Sequence, residues 1–489
     1  LPKNRLPLDF FPAMSRGYPD VPPTGSRPVA AKHKGDTERL LLSVRSKIGE
    51  VLDVDGLPQE AETLLKEAES LLRRGEQQLA QPRLGQPEEM FQGADEHARR
   101  YLLKTFTEFD IDAVPAAEVP QTPSSPVSPS SRTTRALSGE TVIAALEKAG
   151  QFDFDALAFS ELEEVAGKPI TVLGSYILSS SGSISKLEEQ GWISCPARNF
   201  ETRLTRFFTE MDRRYQKAIY HNSAHAADVM ATVFWLLRLP CFADLSLLDF
   251  TVSVIAAAVH DVGHPGYNND FQKMTSSELA LRYNDSSVLE NFHAATCFEV
   301  LRERPDCNWF SLLKQDFHEA SSEETVDLQQ YARKLLVSIV LGTDMAKHQK
   351  HLTELQEFQK EAKDSSNAMK RTELLSCVVH AADISNPCKP RKIMLDWTRR
   401  VNLEFWAQGD EEQRLSLPIS RMCDREQGMG SIPTGQFLFI KHVVEPYMSA
   451  LVRIYPEASL LTTTLEENKT FWQEKEKEKA TFEDLFGSQ

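Results

Sequence analysis

Leu245–Gly266 reads LSLLDFTVSVIAAAVHDVGHPG, and its first sixteen residues decide the fold class. From Leu245 to His260 apolar side chains fill almost every position with no alternation of period two, so the segment reads as a helix with little polar face, buried among other helices. Outward from it the pattern recurs. Ala224–Leu239, Val288–Arg302, Tyr331–Phe358 and Ile393–Ala407 each run three turns or more with apolar residues at helical spacing. There is no βαβ rhythm and no internal repeat, so the chain from about Leu137 onward reads as all-α.

Composition divides the 489 residues sharply. Of the 26 prolines, 15 lie in residues 1–140, whereas all tryptophans and all seven cysteines lie beyond residue 190, so the dense core is C-terminal. Residues 1–35 carry scattered Pro, Gly and basic residues and read as disordered. Residues 36–114 read as helical, with Leu64, Leu65, Ala68, Leu71 and Leu72 on one face. Their role is unknown: a small helical bundle or docking element, or a helix through which two copies pair as a homodimer. Residues 115–136 are a Pro/Ser-rich linker, and the catalytic-type domain is expected over 137–489.

The net charge of −16 argues against a nucleic-acid partner, because phosphate backbones demand a basic footprint. The longest apolar run, Thr251–Val259, is far short of the ~20 residues of a membrane helix. Seven cysteines with no CxxC pair fit a reducing compartment, so a cytoplasmic location is expected, with an anchor upstream of Leu1 left open.

Three stretches place His and Asp inside apolar surroundings: Tyr220–Asp228 (YHNSAHAAD), His260–Gly266 (HDVGHPG) and His380–Asp383 (HAAD). On a helix, His221 and His225 would share one face. Histidine and aspartate are costly to bury unless paired or metal-bound. Imidazole and carboxylate together suit zinc and related ions, and a mixed set too small to close the shell leaves room for water. A buried ion-pair network is the alternative reading.

With its following residues, His260–Phe271 (HDVGHPGYNNDF) resembles the signature of the class I 3',5'-cyclic nucleotide phosphodiesterases. YHNSAHAADV (220–229), YNDSSVLENFH (283–293), IVLGTDMAKH (339–348), HAADISNP (380–387) and TGQFLFIKHVVEPY (434–447) follow in that family's order, covering about residues 150–475. The resemblance implies an all-helical, metal-dependent domain of HD type that hydrolyses the 3' phosphoester bond of a cyclic nucleotide, with cAMP favoured over cGMP and dual use open. It implies His225, His260, Asp261 and Asp383 as ligands of a first ion, Zn2+, with Asp261 bridging to a second, Mg2+ or Mn2+, and a water activated by both. His221 would be the proton donor, oriented by Glu404; His264, Glu290 and Asp344 would support the site from behind. Tyr220, Asn386, Val401, Gln436 and Phe439 would bind the nucleotide, with Phe439 and Val401 clamping the purine and Gln436 bonding its edge. Asn386 is expected to offer the base both a donor and an acceptor.

Two positions depart from that family's pattern. Gly263 stands where many members have a second acidic residue, and Phe292 replaces a histidine, leaving only His293. Among other enzymes, an HD-type phosphohydrolase of linear esters would have no use for Gln436 and Phe439. A catalytically dead nucleotide sensor would be expected to lack a ligand or His221.

Overall fold

The computed structural model describes residues 139–318, 325–361, 368–428 and 432–487, so the segments 1–35, 36–114 and 115–136 lie outside the described residues. The helices that position the site are α1 (Pro169–Ser180), α2 (Ala197–Arg214), α3 (Ser223–Leu237), α4 (Leu247–Val259), α5 (Val288–Glu303), α6 (Leu328–Gly342), α7 (His348–Glu361), α8 (Ala368–Asp383), α9 (Arg391–Arg414), α10 (Ile432–Phe439), α11 (Glu445–Ile454) and α12 (Leu460–Glu478). Phe317–His318 and Thr325–Val326 form a two-residue antiparallel pairing. Among the described residues no helix is long and apolar enough to cross a membrane.

At the centre α3 packs on α4 and α8, α4 on α6, and α6 on α8, closing a ring of four. Their content explains it: Leu248–Val259 of α4 is buried on every side, as is Ala224–Leu237 of α3. Apolar burial of this extent, at about 25 cal/mol per Å2, is the main force holding the ring together. His225 begins α3, while His260 caps the end of α4 and Asp383 ends α8, and the three meet. Helix α3 therefore runs against α4 and α8, and one end of the ring collects the polar residues.

Two sequence expectations are corrected here. Tyr331–Phe358 is not one helix: α6 ends at Gly342, and Asp344 accepts the Ala346 amide at 2.9 Å to start a tight turn before α7. His221 is not on α3. Asn222 adopts extended backbone and its side chain accepts the Ala224 amide at 2.9 Å, so the helix begins one residue later. His221 and His225 do not share a helix face; their rings lie 5.8 Å apart and nearly perpendicular. Between α10 and α11, Ile440–Val444 is a π-helical turn, a local widening that no apolar periodicity announces.

Candidate active site

The collected end of the ring carries four donor atoms. His225 Nε2 lies 3.1 Å from Asp383 Oδ1 and 3.6 Å from Asp261 Oδ2. His260 Nε2 lies 3.1 Å from Asp261 Oδ2, 3.4 Å from Asp383 Oδ1 and 3.3 Å from His225 Nε2. The His260 Nδ1–H donates to the Ala257 carbonyl at 2.8 Å, which leaves Nε2 as the ring atom turned to the cluster. Burial alone would raise both aspartates, but the facing imidazoles hold Asp261 and Asp383 well below the usual carboxylate range.

A divalent cation fits this set. The five separations of 3.1–3.6 Å among these atoms are close to the roughly 3.3–3.6 Å that tetrahedral bonds of about 2.0–2.2 Å to one ion enforce. The carbonyl ends of α4 and α8 point at the same place, adding the negative pole of two helix dipoles.

Beside the cluster His221 emerges from the pre-helical loop. Its Nδ1 hydrogen-bonds Glu404 Oε1, while Glu404 Oε2 accepts the backbone amides of Tyr220 at 2.6 Å and His221 at 3.2 Å. Burial would lower the His221 pKa, but the Glu404 charge outweighs it and lifts the group to about 9. Reciprocally, His221 overcomes burial at Glu404 and brings that carboxyl to about 2. The His264 ring stacks on His221 at 4.0 Å, and its Nδ1 accepts the Gly266 amide at 3.0 Å. Burial, and then the His221 charge, keep His264 well below its usual value and thus neutral.

Glu290 and Asp344 sit further out. Asn269 donates to both Glu290 oxygens at 3.1 Å, and the Ser287 hydroxyl donates to Asp344 Oδ2 at 2.6 Å. Burial and then Asp344 push Glu290 up to about 8. The motif reading undervalued His293. It is buried, its Nδ1–H donates to the Val262 carbonyl at 2.8 Å, and its Nε2 faces Asp261 Oδ1 at 3.6 Å. The two departures turn out to touch. Gly263 has φ of +80°, and a Cβ there would stand 2.8 Å from the Phe292 ring, so glycine at 263 and phenylalanine at 292 accommodate each other.

Asn386 is committed at both ends. Its Oδ1 accepts the Tyr220 hydroxyl at 2.5 Å, and its Nδ2 donates to Asp228 Oδ2 at 2.9 Å. Buried Lys389 holds Asp228 from the other side at 3.4 Å and donates to Thr232 Oγ1 at 2.8 Å. One N–H and one lone pair of Asn386 remain, so the amide is fixed in orientation and still has one donor and one acceptor to offer. Asp228 closes the Tyr220–Asp228 stretch but was given no role in the sequence reading, and Lys389 did not stand out. Gln436 and Phe439, three apart on one face of α10, are half-buried, as is Val401 on α9.

Comparison with known proteins agrees with this arrangement. Residues 220–465, just over half the chain, match the 3'5'-cyclic nucleotide phosphodiesterase family. The chain is 33% identical over 347 residues to 3',5'-cyclic-AMP phosphodiesterase 4C of Rattus norvegicus, covering 68% of this chain and 59% of the relative. It is 34% identical over 282 residues to the probable 3',5'-cyclic-AMP phosphodiesterase pde-4 of Caenorhabditis elegans, covering 56% of this chain and 40% of the relative. The chain thus spans about half the length of these curated relatives. The phosphodiesterase domain of the RhoPDE fusion protein from the choanoflagellate Salpingoeca rosetta superposes with a TM-score of 0.58 at 28% identity, covering 68% of this chain and 98% of that domain. By its sequence match and its helical fold, the chain belongs to the 3',5'-cyclic nucleotide phosphodiesterase family.

Proposed function

We propose that this chain hydrolyses the 3' phosphoester bond of a 3',5'-cyclic nucleotide, cAMP in preference to cGMP, to give the 5'-nucleoside monophosphate and so end a second-messenger signal. The observation that carries this reading is the convergence of His225, His260, Asp261 and Asp383 beside the His221–Glu404 pair. The preference for cAMP is supported by the relatives, which are cyclic-AMP phosphodiesterases by name.

In this reading His225, His260, Asp261 and Asp383 hold a first ion, Zn2+, and Asp261 also faces a second, Mg2+ or Mn2+. Bound there, divalent ions supply positive charge to the phosphate and lower the pKa of an attacking water. The chain's own residues do the rest. His221, protonated through Glu404, donates its proton to the departing 3' oxygen. Stacking by neutral His264 holds the His221 ring without competing for that proton. Glu290 and Asp344 order water behind the metal ligands, and His293 supports Asp261. Phe439 and Val401 clamp the base, Gln436 bonds its edge, and Tyr220 fixes Asn386 against it.

The seven cysteines, none in a disulfide, support work in the reducing cytoplasm. Pairing of two copies through residues 36–114, which lie outside the described residues, is the second reading of that segment beside a docking element, and the mass of the full chain in solution decides between them. Initial rates on cAMP and cGMP across a concentration series, with and without chelator, test the whole reading. Turnover of both should be lost on chelation and return with added zinc and magnesium. A cAMP-to-cGMP ratio of kcat/KM below about threefold, roughly 0.6 kcal/mol, overturns the preference.

A further inference from the structure

Six residues before Asp383 on the same helix, α8 carries a second polar cluster. His351 and Glu354, three apart on α7, face Cys377. His351 Nδ1 lies 2.9 Å from Glu354 Oε2 and 3.5 Å from Cys377 Sγ, and Sγ lies 3.9 Å from that carboxylate oxygen. Cys377 is fully buried and His351 nearly so. The other Glu354 oxygen, at the rim, pairs with Lys350 Nζ at 3.4 Å.

We infer that His351, Glu354 and Cys377 form a second cation site, separate from the His225 cluster and suited to zinc or another thiolate-binding divalent ion. The histidine ring is already set in the required orientation. Its Nε2–H donates to the Gly342 carbonyl at 3.0 Å, so Nδ1 is the ring atom turned toward the carboxylate and the sulfur; on binding, any proton it shares with Glu354 leaves to solvent and its lone pair goes to the ion. The three separations of 2.9–3.9 Å bracket the roughly 3.3–3.6 Å that tetrahedral bonds of about 2.0–2.3 Å to N, O and S enforce. A sulfur–nitrogen–oxygen set selects zinc-like ions over magnesium and calcium, which take oxygen. On binding, the Cys377 S–H bond breaks, its proton leaves to solvent, and the sulfur's electron pair goes to the ion. Burial keeps the thiol protonated until then. The ion joins α7 to α8 at their contact, beside the His348–His380 pair, where His348 Nδ1 and His380 Nε2 lie 3.0 Å apart. The proposal is independent of what the first cluster hydrolyses.

Cobalt substitution tests it, because no ligand proposed for the first cluster is a thiolate. The full chain is stripped with chelator and reloaded with Co2+ alone. A near-ultraviolet thiolate-to-cobalt charge-transfer band is expected, lost in Cys377→Ser and kept in Asp261→Asn. After zinc loading and desalting, elemental analysis should find one zinc fewer in Cys377→Ser, and in His351→Gln, than in the parent chain. The inference is overturned by a cobalt-loaded parent chain with no thiolate band, by a band that survives Cys377→Ser, or by equal zinc content in parent and variants. If Cys377→Ser fails to fold, absence of the band in the parent chain still overturns the inference, and loss of the band in His351→Gln replaces the missing variant.

Discussion

One helix, α8, serves two buried clusters of opposite character. At its end, Asp383 joins two imidazoles and a second carboxylate where helix termini and the Gly263–Gly266 turn meet, and the two aspartates keep 13% and 19% of their side-chain surface exposed. On its flank, Cys377 faces a single imidazole and a single carboxylate between two helices packed side by side, with no exposed surface of its own. Helix ends leave loops and open coordination positions, which chemistry on a substrate requires; helix flanks leave neither. The comparison teaches that one helix can offer similar ligand types in an opening at its end and sealed between packed flanks.

Removing one ligand from each cluster breaks the comparison most directly. Asp261→Ala should abolish turnover, because this carboxylate faces both His225 and His260, and the loss of a metal-activated nucleophile amounts to several kcal/mol. Cys377→Ser should leave kcat/KM on cAMP within about threefold of the parent, under roughly 0.7 kcal/mol. Steady-state rates of the two variants decide it. More than a tenth of the parent rate in Asp261→Ala would end the two-ion assignment.

Replacing His221, the proposed proton donor, tests the open cluster without touching its proposed ligands. His221→Ala should lower kcat by roughly 10^2–10^4 while bound metal, measured by elemental analysis, is unchanged. Loss of one metal ion together with activity would instead make His221 a ligand, and the pairing with Glu404 incidental.

How much of this was legible in the sequence follows from where each signal resides. The long helices were plain, because Leu248–Val259 is apolar on all sides and a run of that kind has only one stable environment. The metal-type residues were legible because each His-Asp motif stood against such a run. What failed was local. The i, i+4 spacing of His221 and His225 suggested one helix face, yet Asn222 caps the helix and leaves His221 in the loop before it. The break at Asp344 was hidden by continuous apolar spacing on either side. The pairing of Asp228 with Lys389 escaped notice because a buried Lys–Asp pair 161 positions apart leaves no local pattern. Gly263 and Phe292 read as separate oddities, and only their 2.8 Å approach ties them together.

The His221–Glu404 pair also predicts a pH dependence of stability in the chelated protein. His221 is lifted from about 6.5 to about 9, so its contribution is fully present below pH 6.5 and disappears as pH rises toward 9. Glu404→Gln removes the charge that lifts it. Unfolding midpoints of parent and variant should therefore differ most near pH 6.5, on the order of 1–3 kcal/mol, and converge by about pH 9. A gap that stays constant across this window would mean that the histidine is not charged through Glu404.

On the nucleotide side, Phe439→Ala should raise KM for cAMP and cGMP alike, since stacking worth about 1–3 kcal/mol does not distinguish purines. Gln436→Ala leaves a base edge unpaired, at about 1–3 kcal/mol, and should penalise the preferred nucleotide more. Michaelis curves on both substrates separate the two; equal losses from Gln436→Ala would show that the glutamine does not select.

The smallest effect concerns Asn386. Its amide cannot turn freely, because the Tyr220 hydroxyl donates to the oxygen while Asp228, held by Lys389, accepts from the nitrogen. One N–H and the second lone pair of Oδ1 are left for a base, and the N–H reaches acceptors such as the ring N7 that adenine and guanine share. Tyr220→Phe keeps the ring that packs 4.6 Å from His225 but removes the hydroxyl, returning a lone pair to Asn386 Oδ1. Asp228 still anchors the nitrogen end, so the amide keeps its orientation. The returned lone pair can then accept from the exocyclic amino group of adenine at C6, where guanine presents a carbonyl. The cAMP-to-cGMP ratio of kcat/KM should rise by roughly two- to fivefold, the yield of one net hydrogen bond of about 0.5–1 kcal/mol. A ratio that stays where it was would place Asn386 out of reach of the base, and leave its locked amide a support for Tyr220 alone.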